Sequence, residues 1–178
     1  IFVDTLTAST AGVIQLDSTT NTVNTVNAIT RGGAFTLNDS AGGLTITGPV
    51  NTGNTDDELL VDNVTDTGGG SFTFIATSGD IDFSATGRIV TGGGDVSLTS
   101  IAGSVTMEDG ATVDVGSGTI LFEARNGDIQ LSGLSTTNTT DVAVQIFAGG
   151  AVTDAGDTNV DIDAPNGRLV IESVNGVG

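Results

Sequence analysis

Residues 70–93, 94–117 and 118–133 align with one another without a gap, at a fixed spacing of 24 residues. Phe72, Val96 and Ile120 coincide, as do Phe74, Leu98 and Phe122. Gly79, Gly103 and Gly127 follow, then Ile81, Val105 and Ile129, then Phe83, Met107 and Leu131. Further on, Ile89 falls on Val113 and Gly94 on Gly118. Each half of the unit reads apolar-x-apolar, a short bend ending in Gly, then apolar-x-apolar. Alternation at period two puts the apolar residues on one side of a short strand. One such unit cannot bury that side alone, whereas a stack of identical units can. Antiparallel hairpins also give short strands and Gly turns, but they do not require a constant period in which every column keeps its character. A coil of parallel strands does. The chain is therefore read as all-β, a right-handed parallel β-helix (β-solenoid) of about seven turns, roughly 35 Å long at the usual strand spacing. The hand follows from the bias of parallel crossovers.

Outside the regular block the same half-unit recurs with altered spacing. Phe35, Leu37, Gly42, Leu44 and Ile46 reproduce the offsets of Phe72, Phe74, Gly79, Ile81 and Phe83, and so do Val160, Ile162, Gly167, Leu169 and Ile171. A looser copy at Val144, Ile146, Gly150 and Val152 lacks one bend residue. The expected organisation is a single solenoid segment, 1–178. It has less regular turns over 1–70 with an acidic insert at 51–63, regular repeats over 71–134 and variant turns over 135–178. Outward positions such as Thr73, Asp82, Ser97, Thr106 and Gln130 are polar, as a solvated exterior needs.

Composition agrees. Val, Ile and Thr suit a pleated surface, and Gly, Asn and Asp supply the bends. The formal net charge of −18, from 22 acids against 4 basic residues, repels phosphate backbones and anionic membrane surfaces, so nucleic acid is not an expected partner. It would attract divalent cations and keep a long fibre soluble. A mean hydropathy of +0.20 with alternating apolar residues argues against disorder. No apolar run reaches the length of a membrane span. Ile1-Phe2-Val3-Asp4 carries no signal-peptide pattern, and neither end reads as a polar cap. Flanking solenoid repeats, or like subunits end to end, are therefore the expected partners.

With neither His nor Cys in the chain, His-based triads, thiol nucleophiles and Cys/His zinc sites are excluded. Paired carboxylates are the surviving catalytic option, since parallel β-helices can carry Asp clusters on one face. The candidates are Asp80 and Asp82, with Asp128 two turns from Asp80. Ser104 lies between Asp80 and Asp128, which separates them by about 9.6 Å, twice the strand spacing. Tyr and Trp, the usual platforms for sugar rings, are absent. No enzyme is expected. Calcium is the better ligand hypothesis, because hard cations want several oxygens. The densest acid clusters are Asp154, Asp157, Asp161 and Asp163, and Asp56, Asp57, Glu58 and Asp62. Neither fits an EF-hand, and Gly92-Gly93-Gly94-Asp95-Val96 does not match the calcium-binding nonapeptide. The plainer reading is that these acids end strands and face water. Asn38-Asp39-Ser40, Asn63-Val64-Thr65 and Asn138-Thr139-Thr140 are glycosylation sequons that chance explains in so Asn- and Thr-rich a chain. Phe72, Phe74, Phe83 and Phe122 read as a core stack.

The stretch from Asn21 to Leu37, N-T-V-N-T-V-N-A-I-T-R-G-G-A-F-T-L, continuing through Gly43 to Val50, resembles repeats of filamentous-haemagglutinin-like adhesins. The phrases G-D-I-x-F/L and G-G-G-D-V-x-L are similar to the same repeats. The resemblance implies a β-helix within a very long protein exported to the bacterial cell surface or secreted, where it serves as fibre, adhesin or matrix. The expected role is a stiff spacer with no catalytic site, in contact with host-cell or matrix carbohydrate or protein. The alternatives are a self-assembling matrix filament and, beyond it, a carbohydrate-active β-helix enzyme.

Overall fold

The computed structural model describes residues 1–10, 12–30, 33–52, 69–140, 142–156 and 158–178. Among them every regular element is a strand. The first turn of the coil is β1 (Phe2–Thr10) and β2 (Ile14–Leu16), and the second is β3 (Thr22–Thr30) and β4 (Phe35–Asp39). Each later turn has three strands. These are β5 (Leu44–Ile46), β6 (Pro49–Asn51) and β7 (Phe72–Ala76), then β8 (Ile81–Phe83), β9 (Arg88–Val90) and β10 (Val96–Ser100). The next turn is β11 (Val105–Met107), β12 (Thr112–Asp114) and β13 (Ile120–Ala124). It is followed by β14 (Ile129–Leu131), β15 (Gly133–Ser135) and β16 (Val144–Ala148), and then by β17 (Val152–Asp154), β18 (Ile162–Asp163) and β19 (Leu169–Ser173).

All pairings between these strands are parallel, and they line up as three faces. One runs β17-β14-β11-β8-β5-β3 and a second β3-β6-β9-β12-β15-β18, the long β3 serving both and carrying β1 on its other edge. The third is β19-β16-β13-β10-β7-β4-β2. The molecule is a right-handed parallel β-helix in which the third face has seven levels separated by six rises, about 29 Å at the usual strand spacing.

Register follows the repeat. Val96 pairs with Phe72 on one side and Ile120 on the other, and Val105 pairs with Ile81 and Ile129. Phe35 and Leu37 pair with Phe72 and Phe74, and Leu44 and Ile46 with Ile81 and Phe83. The looser copy fits too: Val144 lies beside Ile120 and Val152 beside Ile129, the missing bend residue being absorbed at the corner between them. One assignment is corrected. Ile162 pairs with Leu134 on the second face, and Leu169 and Ile171 pair with Val144 and Ile146 on the third; Val160 is exposed outside any strand. The half-unit looks alike at every corner of the coil, so without the 24-residue period it does not say which corner it occupies. Asn51, counted in sequence as the start of the acidic insert, ends β6 and pairs with Val90; residues 53–63 of the insert lie outside the described residues.

The inward side chains form one continuous core running from Val23 to Val152. Phe35 and Phe72 stack with centroids 5.0 Å apart and planes 9° from parallel, and Phe83 and Phe122 stack at 6.4 Å. Each fully buried side chain of this size contributes about 1.5–3 kcal/mol of transfer free energy. Thr73, Asp82, Ser97, Thr106 and Gln130 face outward and are half-buried. The alternation has exceptions on the third face, where the outward positions of β7, β13 and β16 include the half-buried Ile75, Leu121 and Phe147.

Candidate functional site

A strand that turns a corner of the coil carries one backbone N–H past the reach of the regular ladder, and an amide left without an acceptor is costly. The residue after the corner Gly supplies the acceptor. At one corner Asp80 Oδ1 accepts the Ser104 amide at 2.7 Å, Ser104 Oγ accepts the Asp128 amide at 3.1 Å, and Asp128 Oδ1 accepts the Ala151 amide at 2.7 Å. At another, Ser71 Oγ accepts the Asp95 amide at 3.3 Å, and Asp95 Oδ1 accepts both the amide and the hydroxyl of Thr119, at 2.8 and 2.9 Å. Each reaches one level along the coil. The glycines beside them are needed for close approach: Gly79 has φ +84°, and a Cβ on Gly103 would run into the Gly79 carbonyl and the Asp80 carboxylate.

Of the acids weighed for catalysis, Asp80 and Asp128 are thus corner parts. Asp80 and Asp128 do share a column with Ser104 between them, and both carboxylates hold backbone amides of the next level. Asp82, on the outer side of β8, pairs with Thr45 and Thr106 on the adjacent levels. Burial pushes its carboxyl above the usual range, helped by the charges of Asp80 and Glu108 and opposed by a hydrogen bond with Thr106. Glu108 itself accepts the Ala85 amide at 2.9 Å. A shallow groove of about 550 Å³ lies on the second face instead, lined by Arg88, Thr112, Asp114, Ser135 and Asp163 among others, with neither Asp80 nor Asp82 in its wall.

The proposed calcium ligands do not converge where they are described. Asp154 ends β17 on the first face, where its Oδ1 accepts the Gly156 amide at 2.9 Å. Asp163 ends β18 on the second face, beside Ser135, and the Asp161 carbonyl accepts the Leu134 amide at 2.8 Å. Asp157, and all of Asp56, Asp57, Glu58 and Asp62, lie outside the described residues. Among the described residues no three His, Cys, Asp or Glu side chains gather into a set that could hold a metal, and no helix is long and apolar enough to cross a membrane. Of the sequons, Asn138 is buried, with its Nδ2 donating to the Ser117 carbonyl at 2.7 Å and its Oδ1 accepting the Thr140 amide at 2.8 Å. Asn63 lies outside the described residues.

One polar residue escapes the sequence pattern. Asp39 ends β4 facing inward and is fully buried. Its column continues with Ala76, Ser100, Ala124 and Ala148, all small and uncharged. The signal that could have found it is the offset itself: Asp39 stands two residues after Leu37, as Ala76 stands after Phe74.

No protein-family model matches the chain, and neither does any curated protein or solved structure.

Proposed function

We propose that this chain is a stiff, non-catalytic β-solenoid segment of a large secreted bacterial surface fibre, a spacer that carries adhesive or matrix contacts away from the cell. The observation that carries the reading is the uninterrupted parallel register: the third face keeps one column alignment from Ile14 to Leu169. A rod of this kind resists bending because backbone ladders, a stacked apolar core and corner hydrogen bonds all run along its axis. Two of the acids weighed for catalysis, Asp80 and Asp128, are engaged in that scaffold, which favours a mechanical role over a chemical one. The resemblance to filamentous-haemagglutinin-like adhesins supports the surface location and the fibre role. Host-cell or matrix carbohydrate or protein is the partner class that such a role implies.

The test is a surface-display experiment in which the chain separates a membrane anchor from a fluorescent head. Inserting further 24-residue units should raise the head by about 4.8 Å per unit. A height that does not grow with unit number would end the spacer reading. A second reading has separate chains stacking end to end as a matrix filament. Its measure is the mass of the purified chain in solution: growth with concentration supports stacking, and a constant monomer opposes it.

A further inference from the structure

Asp39 breaks a rule that every other described member of its column obeys, and such departures mark strained or functional positions. Its Oδ1 accepts the Val23 amide at 2.9 Å, which ties the end of β4 to β3 on the other side of the bend. Its Oδ2 is buried with no hydrogen-bond partner among the described residues. The column member two levels on solves the same corner without charge: Ser100 accepts the Gly103 amide and donates to the Gly79 carbonyl, both at 3.0 Å. A serine thus suffices to hold this bend, and the carboxyl brings something else.

What it brings is a proton site. A carboxylate oxygen shut away from water without a donor favours the neutral acid. Among the described residues of the strands around it, no opposite charge offsets this. The strands packed around it, β2, β3 and β7, contain no ionisable side chain within their described parts. Asp17, on the level below, is exposed and accepts from the Gln15 side-chain Nε2; Asp80, on the level above, is turned to Ser104; the Ile1 ammonium is held by Asn21 Oδ1.

We propose that Asp39 is a proton-operated latch between β3 and the β4 corner, closed when its carboxyl is protonated and loosened when it ionises. Burial raises its proton affinity, with the amides of Val23, Ser40 and Ala41 opposing. The folded corner therefore binds the proton more tightly than an opened one. Its protection is complete below the ordinary carboxyl value of 3.8 and declines as pH rises through the folded value. Within that window the linked opening equilibrium changes by up to about tenfold per pH unit.

Hydrogen exchange of the whole chain, corrected for intrinsic chemical rates and followed by mass spectrometry from acid to neutral pH, tests the latch. In the unmodified protein, segment 21–43 should lose protection with rising pH up to about tenfold per unit, while segment 96–131 should not follow it. Asp39→Asn should abolish this difference between segments. Asp39→Ser, which copies the Ser100 solution, should abolish it as well and keeps the test sound if the Asn variant misfolds. Equal pH dependence in both segments of the unmodified protein, or a dependence that survives both substitutions, overturns the proposal. The inference rests on the coil geometry alone, so its failure would leave the fibre reading standing.

Discussion

Asp95 carries more than its share of a corner, because one carboxylate oxygen accepts both the amide and the hydroxyl of Thr119. Water can reach this exposed site and replace part of what is lost. Asp95→Ala should therefore lower stability by about 1 kcal/mol, read as a shift of the urea midpoint with an unchanged slope. Gly103→Ala should cost more. The added methyl meets the Gly79 carbonyl and the Asp80 carboxylate of the level below, and these belong to the corner itself, so the backbone must move. A loss of about 1–3 kcal/mol is expected, as for other overpacked sites, and should again appear in the urea midpoint. At this scale the sequence was informative where a column repeated. Spacing alone places Gly79, Gly103 and Gly127, and Asp80 with Asp128, in shared columns. It does not give their hydrogen bonds, since a column of Asp, Ser and Asp carries no mark of the backbone amides it accepts. Asp39 escapes that pattern because the apolar-x-apolar half-unit stops at Leu37, two residues short of it.

Strands of this coil are interchangeable units only where the spacing is constant. Removing residues 96–119 joins Asp95 to Ile120 and recreates the natural sequence Gly-x-apolar at the corner, with Ile120 then beside Phe72. That deletion should fold, with a β-type circular dichroism spectrum and one cooperative transition, and its urea slope should fall with the smaller buried surface. Removing only 96–107 leaves β9 to run into a sequence meant for a different face. Loss of the cooperative transition is expected there. The contrast also marks the limit of pattern reading: Val160, Ile162, Leu169 and Ile171 have the right alternation, but the sequence assigns them to the wrong faces because nothing local distinguishes one corner from the next. Alternation likewise hides Ile75, Leu121 and Phe147, whose outward, half-buried positions show that the wide third face is not uniformly polar. Phe122→Ala, which empties the stack under Phe83, should cost about 3–5 kcal/mol, well above either corner substitution.

Over the whole molecule, the chain carries 18 net negative charges, and their mutual repulsion opposes compaction. Salt should relieve it: the Debye length falls to about 3 Å at 1 M, below the spacing between successive levels, so the melting temperature at neutral pH should climb with added sodium chloride. Acid should act in the same direction by a second route. Asp82, like Asp39, has its carboxyl pushed up, first by burial and then by the charges of Asp80 and Glu108. The folded protein thus holds more protons than the unfolded chain between the ordinary value of 3.8 and the folded value, and stability must rise as pH falls through that window. The two routes separate by substitution. Asp82→Asn removes a titrating group and one repulsive charge together, so it should raise the melting temperature at neutral pH by a few degrees, the shift about 1 kcal/mol produces in a domain of this size, and flatten its dependence on pH. If high salt abolished the pH dependence of the unmodified chain altogether, long-range repulsion alone would account for it. Dependence that persists in high salt and is reduced by Asp82→Asn would assign that part of it to the half-buried Asp82 carboxyl, where burial acts without regard to ionic strength, and leave the remainder to Asp39.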